Sequence, residues 1–308
     1  VGDVFGRKSD HAANLRADFA VGHVRYSTTG GSNARNIQPI FADLAGGGIA
    51  VAHNGNLTNA HTLRTRLVEE GAIFQSTSDT ETIVHLAARS TAPRIVDKLV
   101  DALRQVEGAY SLVALTSKKL IGVRDPFGVR PLVLGMLDGA YLLASETCAL
   151  DIIGAQFVRD VEPGEMIVAT KDGLQSLRPF KTLKPRFCVF EYIYFARPDS
   201  VMEGRSVYES RKAIGEVLAR EAPAPADMVV PIPDSGVPAA LGFAQSANLP
   251  FELGIIRNHY VGRTFIEPSD RIRHLGVRLK HSPNRAKLKG KRVILVDDSI
   301  VRGTTSRK

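Results

Sequence analysis

Close to the C-terminal end of the sequence, a wholly apolar run, Val293-Ile294-Leu295-Val296, stops at two consecutive acids, Asp297 and Asp298. Four apolar residues with no polar alternation are what a strand buried on both faces requires. Such strands belong to parallel sheets covered by helices. Beyond the acids lie Ser299, Arg302, Gly303, Thr304 and Thr305. A strand that feeds a loop and then a helix start carries this cluster to the carboxyl edge of the sheet, where open α/β folds bind ligands. The free N–H groups and dipole of a helix beginning near Thr304 and Thr305 favour a phosphate. Gly303 lets backbone approach closely. The carboxylates can accept hydrogen bonds from a sugar diol or help to hold a divalent cation. An ordinary turn with a helix cap accounts for the acid pair alone, but not for the whole string.

The preceding residues predict the sheet to which such a strand belongs. From about residue 181 the pattern alternates: helix over 206–221, strand over 227–232, helix over 238–247, strand over 251–256, a long polar loop, then strand over 292–296. The string VVPIPDSGVPAA sets Pro233, Asp234, Ser235 and Gly236 after a strand and before a helix, a second place for an anion nest. A plain βα turn favours the same residues. The segment 257–289 is long and basic, with Arg257, Arg263 and Arg271 placed to neutralise a polyanion. A solvated charged loop is the competing reading.

Residues 1–180 read differently. Short β-branched or apolar runs such as GGIAVAHNG, YSLVALT, LIGVRD and EMIVAT end in Gly, Asn or Asp, with helices over 59–70, 79–89 and 95–106. The helix at 79 opens on the capping pattern Ser78-Asp79-Thr80-Glu81. Strands in runs with few helices imply stacked antiparallel sheets with helices outside. The stretch Leu177 to Arg186, rich in Lys, Arg and Pro, looks like a linker between the two parts. Four strings carry chemistry: GHVRYSTTG (22–30), HNGNLTN (53–59), STSDTE (76–81) and RDPFGVRPL (124–132). Arg25 can pair bidentately with an α-carboxylate, and Asp79 can hold an α-ammonium. Asn54 and Gly55 offer a side-chain amide and a backbone N–H, the make-up of an oxyanion hole. Each admits a structural reading: Arg25 as a surface strand residue, Asn54-Gly55 as a hairpin turn, and Asp79 as a helix cap.

Composition narrows the field. With 308 residues, 44% of them hydrophobic, the chain suits about two domains. No stretch is long and apolar enough for a transmembrane helix, and VGDVFGRKSD is no signal peptide. Two cysteines, Cys148 and Cys188, are too few for a disulfide scaffold, and a reduced, cytoplasmic setting is expected. The net charge of +8 fits a polyphosphate ligand; with 6% aromatics and no long Lys/Arg block, neither nucleic acid nor membrane is expected as a partner.

Taken together, the four N-terminal strings resemble the glutamine amidotransferase domain of the N-terminal-nucleophile class, and the Asp-Asp…Gly-Thr-Thr string resembles the PRPP motif of type I phosphoribosyltransferases. The whole chain resembles the glutamine amidophosphoribosyltransferase family, truncated at both ends. The resemblance implies an αββα sandwich of stacked antiparallel sheets over 1–180 and an α/β domain with a parallel sheet over 181–308. It implies the first committed step of purine synthesis: glutamine hydrolysed in the front domain, with ammonia displacing pyrophosphate from C1 of PRPP in the rear domain. Arg25 and Asp79 would then hold glutamine, with Asn54 and Gly55 the oxyanion hole. PRPP would meet Asp234, Ser235, Gly236, Arg263, Asp297, Asp298, Ser299, Arg302, Gly303, Thr304 and Thr305. Tyr260 to Thr264 would lie in a closing loop. Mg²⁺ would sit at Ser235, Asp297 and Asp298.

The class uses an N-terminal Cys nucleophile. Residue 1 here is Val, so the chain as it stands is expected to be silent toward glutamine. Cys188, in RFCVFEYIYFARPDS, matches a ligand position of the subgroup that carries a [4Fe-4S] cluster, which needs about four thiolates. A buried, inert thiol packed where the domains join is the equal alternative, and Cys148 reads as core. The resemblance also implies a homotetramer under purine-nucleotide feedback. Two other classes compete: a sugar-phosphate amidotransferase, against which the PRPP string argues, and a non-enzymatic PRPP- or nucleotide-sensing regulator, which predicts a DNA-binding segment that no pattern supplies.

Overall fold

Two helices and a sheet account for most of the first core. In the computed structural model, which describes residues 17–24, 34–181, 183–258 and 281–300, α1 spans Ala60–Glu69, α2 Thr80–Arg89 and α3 Ile95–Leu103. The helical period puts Ile83, Val84, Leu86 and Ala87 of α2 and Val96, Leu99, Val100 and Leu103 of α3 on buried faces. They pack on a six-stranded antiparallel sheet ordered β1-β2-β3-β4-β8-β9. Its strands are β1 (Ile40–Leu44), β2 (Gly47–Leu57), β3 (Gly108–Leu115), β4 (Leu120–Arg124), β8 (Met166–Thr170) and β9 (Gly173–Leu177).

The opposite face of this sheet presents Val113 and Ile167. These meet Leu134, Tyr141 and Leu143 of a second antiparallel sheet, ordered β6-β5-β7, in which β5 is Val133–Leu137, β6 Ala140–Ala144 and β7 Gln156–Asp160. Leu150, from the short helix α4 (Thr147–Ile152), covers the far side of that sheet against Val133. The layers thus run helix, sheet, sheet, helix, the αββα sandwich expected of the front part.

In space the chain forms two units, residues 1–145 with 149–188 and residues 146–148 with 189–308. The stretch read as a linker belongs to the first of these. Phe180 packs on the main core, the Arg186 N–H donates to the Phe127 carbonyl at 2.7 Å, and the Cys188 N–H donates to Val129 at 3.1 Å. Its prolines keep it out of the sheet, but its remaining N–H groups still need acceptors, and the loop after β4 supplies them.

The second unit opens with β10 (Val201–Met202) and β11 (Arg205–Ser206), then α5 (Val207–Glu221), whose N-cap Ser206 accepts from the Glu209 N–H at 3.3 Å. Then follow β12 (Met228–Pro231), α6 (Val237–Ala247), β13 (Ile255–Arg257), β14 (His281–Pro283), the one-turn helix α7 (Arg285–Leu288) and β15 (Val293–Val296). β12 and β15 pair in parallel, in register from Met228↔Val293 to Pro231↔Val296, and Phe251 bridges Val229 in parallel. This is the parallel sheet expected after residue 181. The expected strand over 251–256 is reduced to the Phe251 bridge and β13, which pairs antiparallel with β14.

Burial on both faces was expected of β15. Ile294 and Val296 pack with Phe243 and Ala244 of α6, while Leu295 points the other way and is 55% exposed. Among the described residues a helix covers one face of this pair.

Glu191–Phe195 forms one π-helical turn with Glu191 buried, while Val189, Phe190 and Phe195 are at least half exposed.

Candidate functional site

In the first unit the chemistry collects on a stretch of sheet edge that no strand among the described residues pairs. β1 pairs with β2 only from Gly47 to Val51, so the β1-facing edge of Ala52 to Leu57 lies beyond that partner. The His53 N–H on this edge donates to Gln38 Oε1 at 2.7 Å, and the Leu57 N–H donates to Asp79 Oδ2 at 3.1 Å. Strand alternation directs the Gly55 N–H to the same edge, between the two. A backbone donor aimed at an open edge is what an oxyanion hole needs.

Asn54 and Gly55 do not form the hairpin turn that their identities allow. They lie inside β2, opposite Ser111 and Tyr110 of β3. Gly55 has φ +153°, and a Cβ there would run into the Ala109 carbonyl. The close approach of β3 therefore requires glycine at this position.

Asn54 is half-buried, and its Oδ1 accepts from Arg130 Nη2 at 3.1 Å. Arg130 comes from the RDPFGVRPL string, and the structure shows how that string is built. The side chain of Arg124, 1% exposed, donates to three carbonyls: Arg130 at 2.8 Å, Val161 at 2.8 Å and Gly128 at 2.9 Å. The buried carboxylate of Asp125 accepts from the N–H groups of Phe127 at 2.9 Å, Val129 at 3.0 Å, Tyr110 at 3.3 Å and Arg130 at 3.4 Å. Burial raises the Asp125 pKa, against the pull of those four N–H groups. One Arg and one Asp thus organise the loop through its backbone, and Arg130 projects from it toward Asn54.

Asp79 closes the other side. It precedes α2, but its side chain makes no cap bond; the Ser78 hydroxyl accepts the Thr80 N–H at 3.3 Å instead. Asp79 Oδ1 lies 3.8 Å from His53 Nδ1, and its side chain is 11% exposed. Glu81, the last residue of the STSDTE string, reaches backward, accepting from the N–H groups of Gln75 and Ser76 at 2.7 Å each. This fixes the loop that carries Asp79. His53 is buried, with Nδ1 3.2 Å from the Thr80 hydroxyl. Burial lowers its pKa, outweighing the opposing pull of Asp79, and the ring stays neutral. His53, Gln38 and Arg130 were not singled out from the sequence. The signal for Arg130 was present: a second arginine six residues after a buried one, in a loop set by Asp-Pro-Phe-Gly. Arg25 lies outside the described residues.

In the second unit the two strand-end loops meet. Asp234 to Gly236 follows β12 and Asp297 to Ser299 follows β15, so both emerge at the carboxyl ends of neighbouring parallel strands. The Ile232 N–H donates to Val296 O at 2.8 Å. Gly236 is packed so closely that a Cβ would stand 2.5 Å from Val296 O and 3.2 Å from Asp297 Cα. Asp297 Oδ1 accepts from the Asp298 N–H at 2.9 Å, and Asp298 Oδ1 accepts from the Ser299 hydroxyl at 2.6 Å. Both acids are half-buried.

Arg257, expected to neutralise a departing anion, is ion-paired with Asp234. With Arg263, Arg271 and the rest of the polar segment outside the described residues, Asp234 is the counter-charge that β13 brings near. Tyr260 to Thr264, Arg302, Gly303, Thr304 and Thr305 also lie outside them. No group of three or more His, Cys, Asp or Glu able to ligate a metal occurs among the described residues. The paired hard oxygens of Asp297 and Asp298 suit a cation that takes most of its shell from ligand phosphates and water.

Cys148 is buried, with Sγ 3.7 Å from Glu146 Oε2, and burial raises its pKa. Cys188 is half-buried. No described helix is long and apolar enough to cross a membrane.

The sequence and fold are similar to those of known proteins. A family model described as a glutamine amidotransferase domain matches residues 23–151. The amidophosphoribosyltransferase of Rhizobium etli is 60% identical over 301 residues, covering 96% of this chain and 61% of its own length. The chloroplastic amidophosphoribosyltransferase 1 of Arabidopsis thaliana is 55% identical over 295 residues, covering 96% and 52%. A solved structure of glutamine PRPP amidotransferase from B. subtilis, complexed with ADP and GMP, superposes with a TM-score of 0.84 at 47% identity, covering 92% of this chain and 62% of that one. The chain spans about 60% of the length of the bacterial relatives it matches.

Proposed function

From a chain that is homologous to the amidophosphoribosyltransferases over nearly all its length, we infer that the full-length protein transfers glutamine-derived ammonia to C1 of PRPP. The products are 5-phosphoribosylamine, pyrophosphate and glutamate, and the step commits material to purine synthesis. The observation that carries this reading is the meeting of two strand-end loops, with Gly236 backbone packed on Asp297 at the carboxyl edge of a parallel pair.

In the first unit, an N–H on that strand edge and an amide side chain face the same chemistry. Gly55 and Asn54 stabilise the oxyanion that forms when a nucleophile attacks the glutamine amide. Asp79 takes the α-ammonium through the oxygen not committed to Leu57, and Arg25 takes the α-carboxylate.

In the second unit, Asp297 and Asp298 receive the ribose diol. Small residues of the Asp234 to Gly236 loop offer N–H groups to the pyrophosphate, and Arg263, Ser299, Arg302, Gly303, Thr304 and Thr305 complete the PRPP site. A Mg²⁺ ion held by Ser235, Asp297 and Asp298 supplies charge neutralisation for the leaving group. Cys188 serves as one thiolate of a [4Fe-4S] cluster in this reading. Cytoplasmic location, a homotetramer and feedback by purine nucleotides complete it; the nucleotides bound to the B. subtilis relative support the last.

The test is calorimetry of Mg·PRPP binding to the full-length protein. Changing Asp297 and Asp298 together to Asn is expected to weaken affinity at least tenfold, about 1.4 kcal/mol. Unchanged affinity would remove both acids from the site.

A further inference from the structure

We propose that Arg130 is a positioning residue for the glutaminase half-reaction, setting the orientation of the Asn54 amide so that its NH₂ end faces the oxyanion. The inference rests on the oxyanion-hole reading of Asn54. An asparagine amide is nearly symmetric in shape, and turning it end for end would replace a donor with an acceptor that repels an oxyanion. Something must fix it.

A guanidinium has donors only, so the Asn54 atom 3.1 Å from Arg130 Nη2 has to be Oδ1. With Oδ1 committed, Nδ2 is the end left to donate elsewhere. A charged donor on the carbonyl end also polarises the amide and strengthens its N–H groups as donors. Arg130 is itself fixed through its main chain: its N–H donates to Asp125 and its carbonyl accepts from Arg124. A side-chain substitution at 130 leaves both of these in place.

Among the described residues, the neighbouring groups on this edge are engaged elsewhere. The N–H of His53 is taken by Gln38 and that of Leu57 by Asp79. Ser111, opposite Asn54, gives its hydroxyl to Pro131 O at 2.8 Å. The two conspicuous arginines of RDPFGVRPL therefore have different duties, Arg124 to the loop and Arg130 to the amide.

The experiment is a double-mutant cycle in the full-length protein, measuring glutamine-driven kcat and KM with the ammonia-driven rate as a control for intact folding. Asn54→Ala alone is expected to lower glutamine-driven kcat by about 10²–10³. Arg130→Ala alone should lower kcat about tenfold or more with glutamine KM little changed, because the interaction is felt in the transition state. In the Asn54→Ala background, Arg130→Ala should cost less than about threefold. Arg130→Lys, which keeps a charged donor, should recover part of the loss. Arg130→Met, similar in length but without a donor, should match Ala and stands in for it if Ala disturbs the fold.

Full additivity of the two changes, or a loss that sits in KM alone, overturns the positioning role while leaving the oxyanion hole intact. A neutral Asn54→Ala overturns both, and that pattern is distinct from additivity.

Discussion

Removing the Asp125 carboxylate should be among the most damaging single changes in the first unit. The residue is 0% exposed, and its two oxygens accept four backbone N–H bonds between 2.9 and 3.4 Å. Asp125→Ala strands those donors where water does not reach. A buried donor left unsatisfied costs about 1–3 kcal/mol. Two of the four bonds are long, and burial already works against the charged carboxylate, so the sum is discounted to about 3–5 kcal/mol. Asp125→Asn should be milder. Oδ1 receives only Phe127, while Oδ2 receives the other three. An asparagine can put its NH₂ toward Phe127 and keep its oxygen for the rest, giving up about one bond, roughly 1–3 kcal/mol. Urea unfolding followed by far-UV circular dichroism measures both. The order Ala well below Asn, with Asn below wild type, is the expected result. A loss under about 1 kcal/mol for Asp125→Ala would refute the claim that this carboxylate organises the loop.

Acid should act on the same unit through Glu165. Its side chain is fully buried; burial alone would raise its pKa, but hydrogen bonds from Arg159, Ser176 and the Glu162 N–H bring it down to about 2. A depressed carboxylate stabilises the fold above its unfolded pKa, and that contribution is lost as pH falls through the folded value. Glu165→Gln should therefore flatten the fall in stability between about pH 4.5 and pH 2, and an acid limb identical to wild type would contradict this. At Gly55, replacement by Ala drives a Cβ into the Ala109 carbonyl. It should cost about 1–3 kcal/mol through backbone strain and abolish glutamine use. Unaltered glutamine kinetics would mean that the β2–β3 approach is not what the glycine serves.

Much of this was legible in the residues because local chemistry and global fold agree there. The apolar run ending at Asp297, the small-residue loop at Asp234 to Gly236 and the parallel pair they imply were all readable, since strand burial and loop chemistry each leave a mark on sequence. So was the helical face of α2. What was not readable depends on who comes to stand opposite. Whether Asn54-Gly55 is a hairpin or a mid-strand site is decided by β3 arriving beside it. That Arg257 pairs with Asp234, 23 positions away, was not readable either. The linker misreading has the same root: Lys and Pro argued for a tether, but carbonyls of the loop after β4 capture the backbone at Arg186 and Cys188.

The most direct test of the account is the stoichiometry of the full-length protein given PRPP, Mg²⁺ and glutamine, with pyrophosphate and glutamate followed together. Coupled chemistry predicts that both appear, in equal amounts, and that ammonia replaces glutamine in releasing pyrophosphate. Asn54→Ala should then slow glutamate formation by about 10²–10³ while ammonia-driven pyrophosphate release continues. Glutamate formed without any PRPP-dependent release of pyrophosphate, from either amino donor, would contradict the assignment of the second unit and with it the central claim.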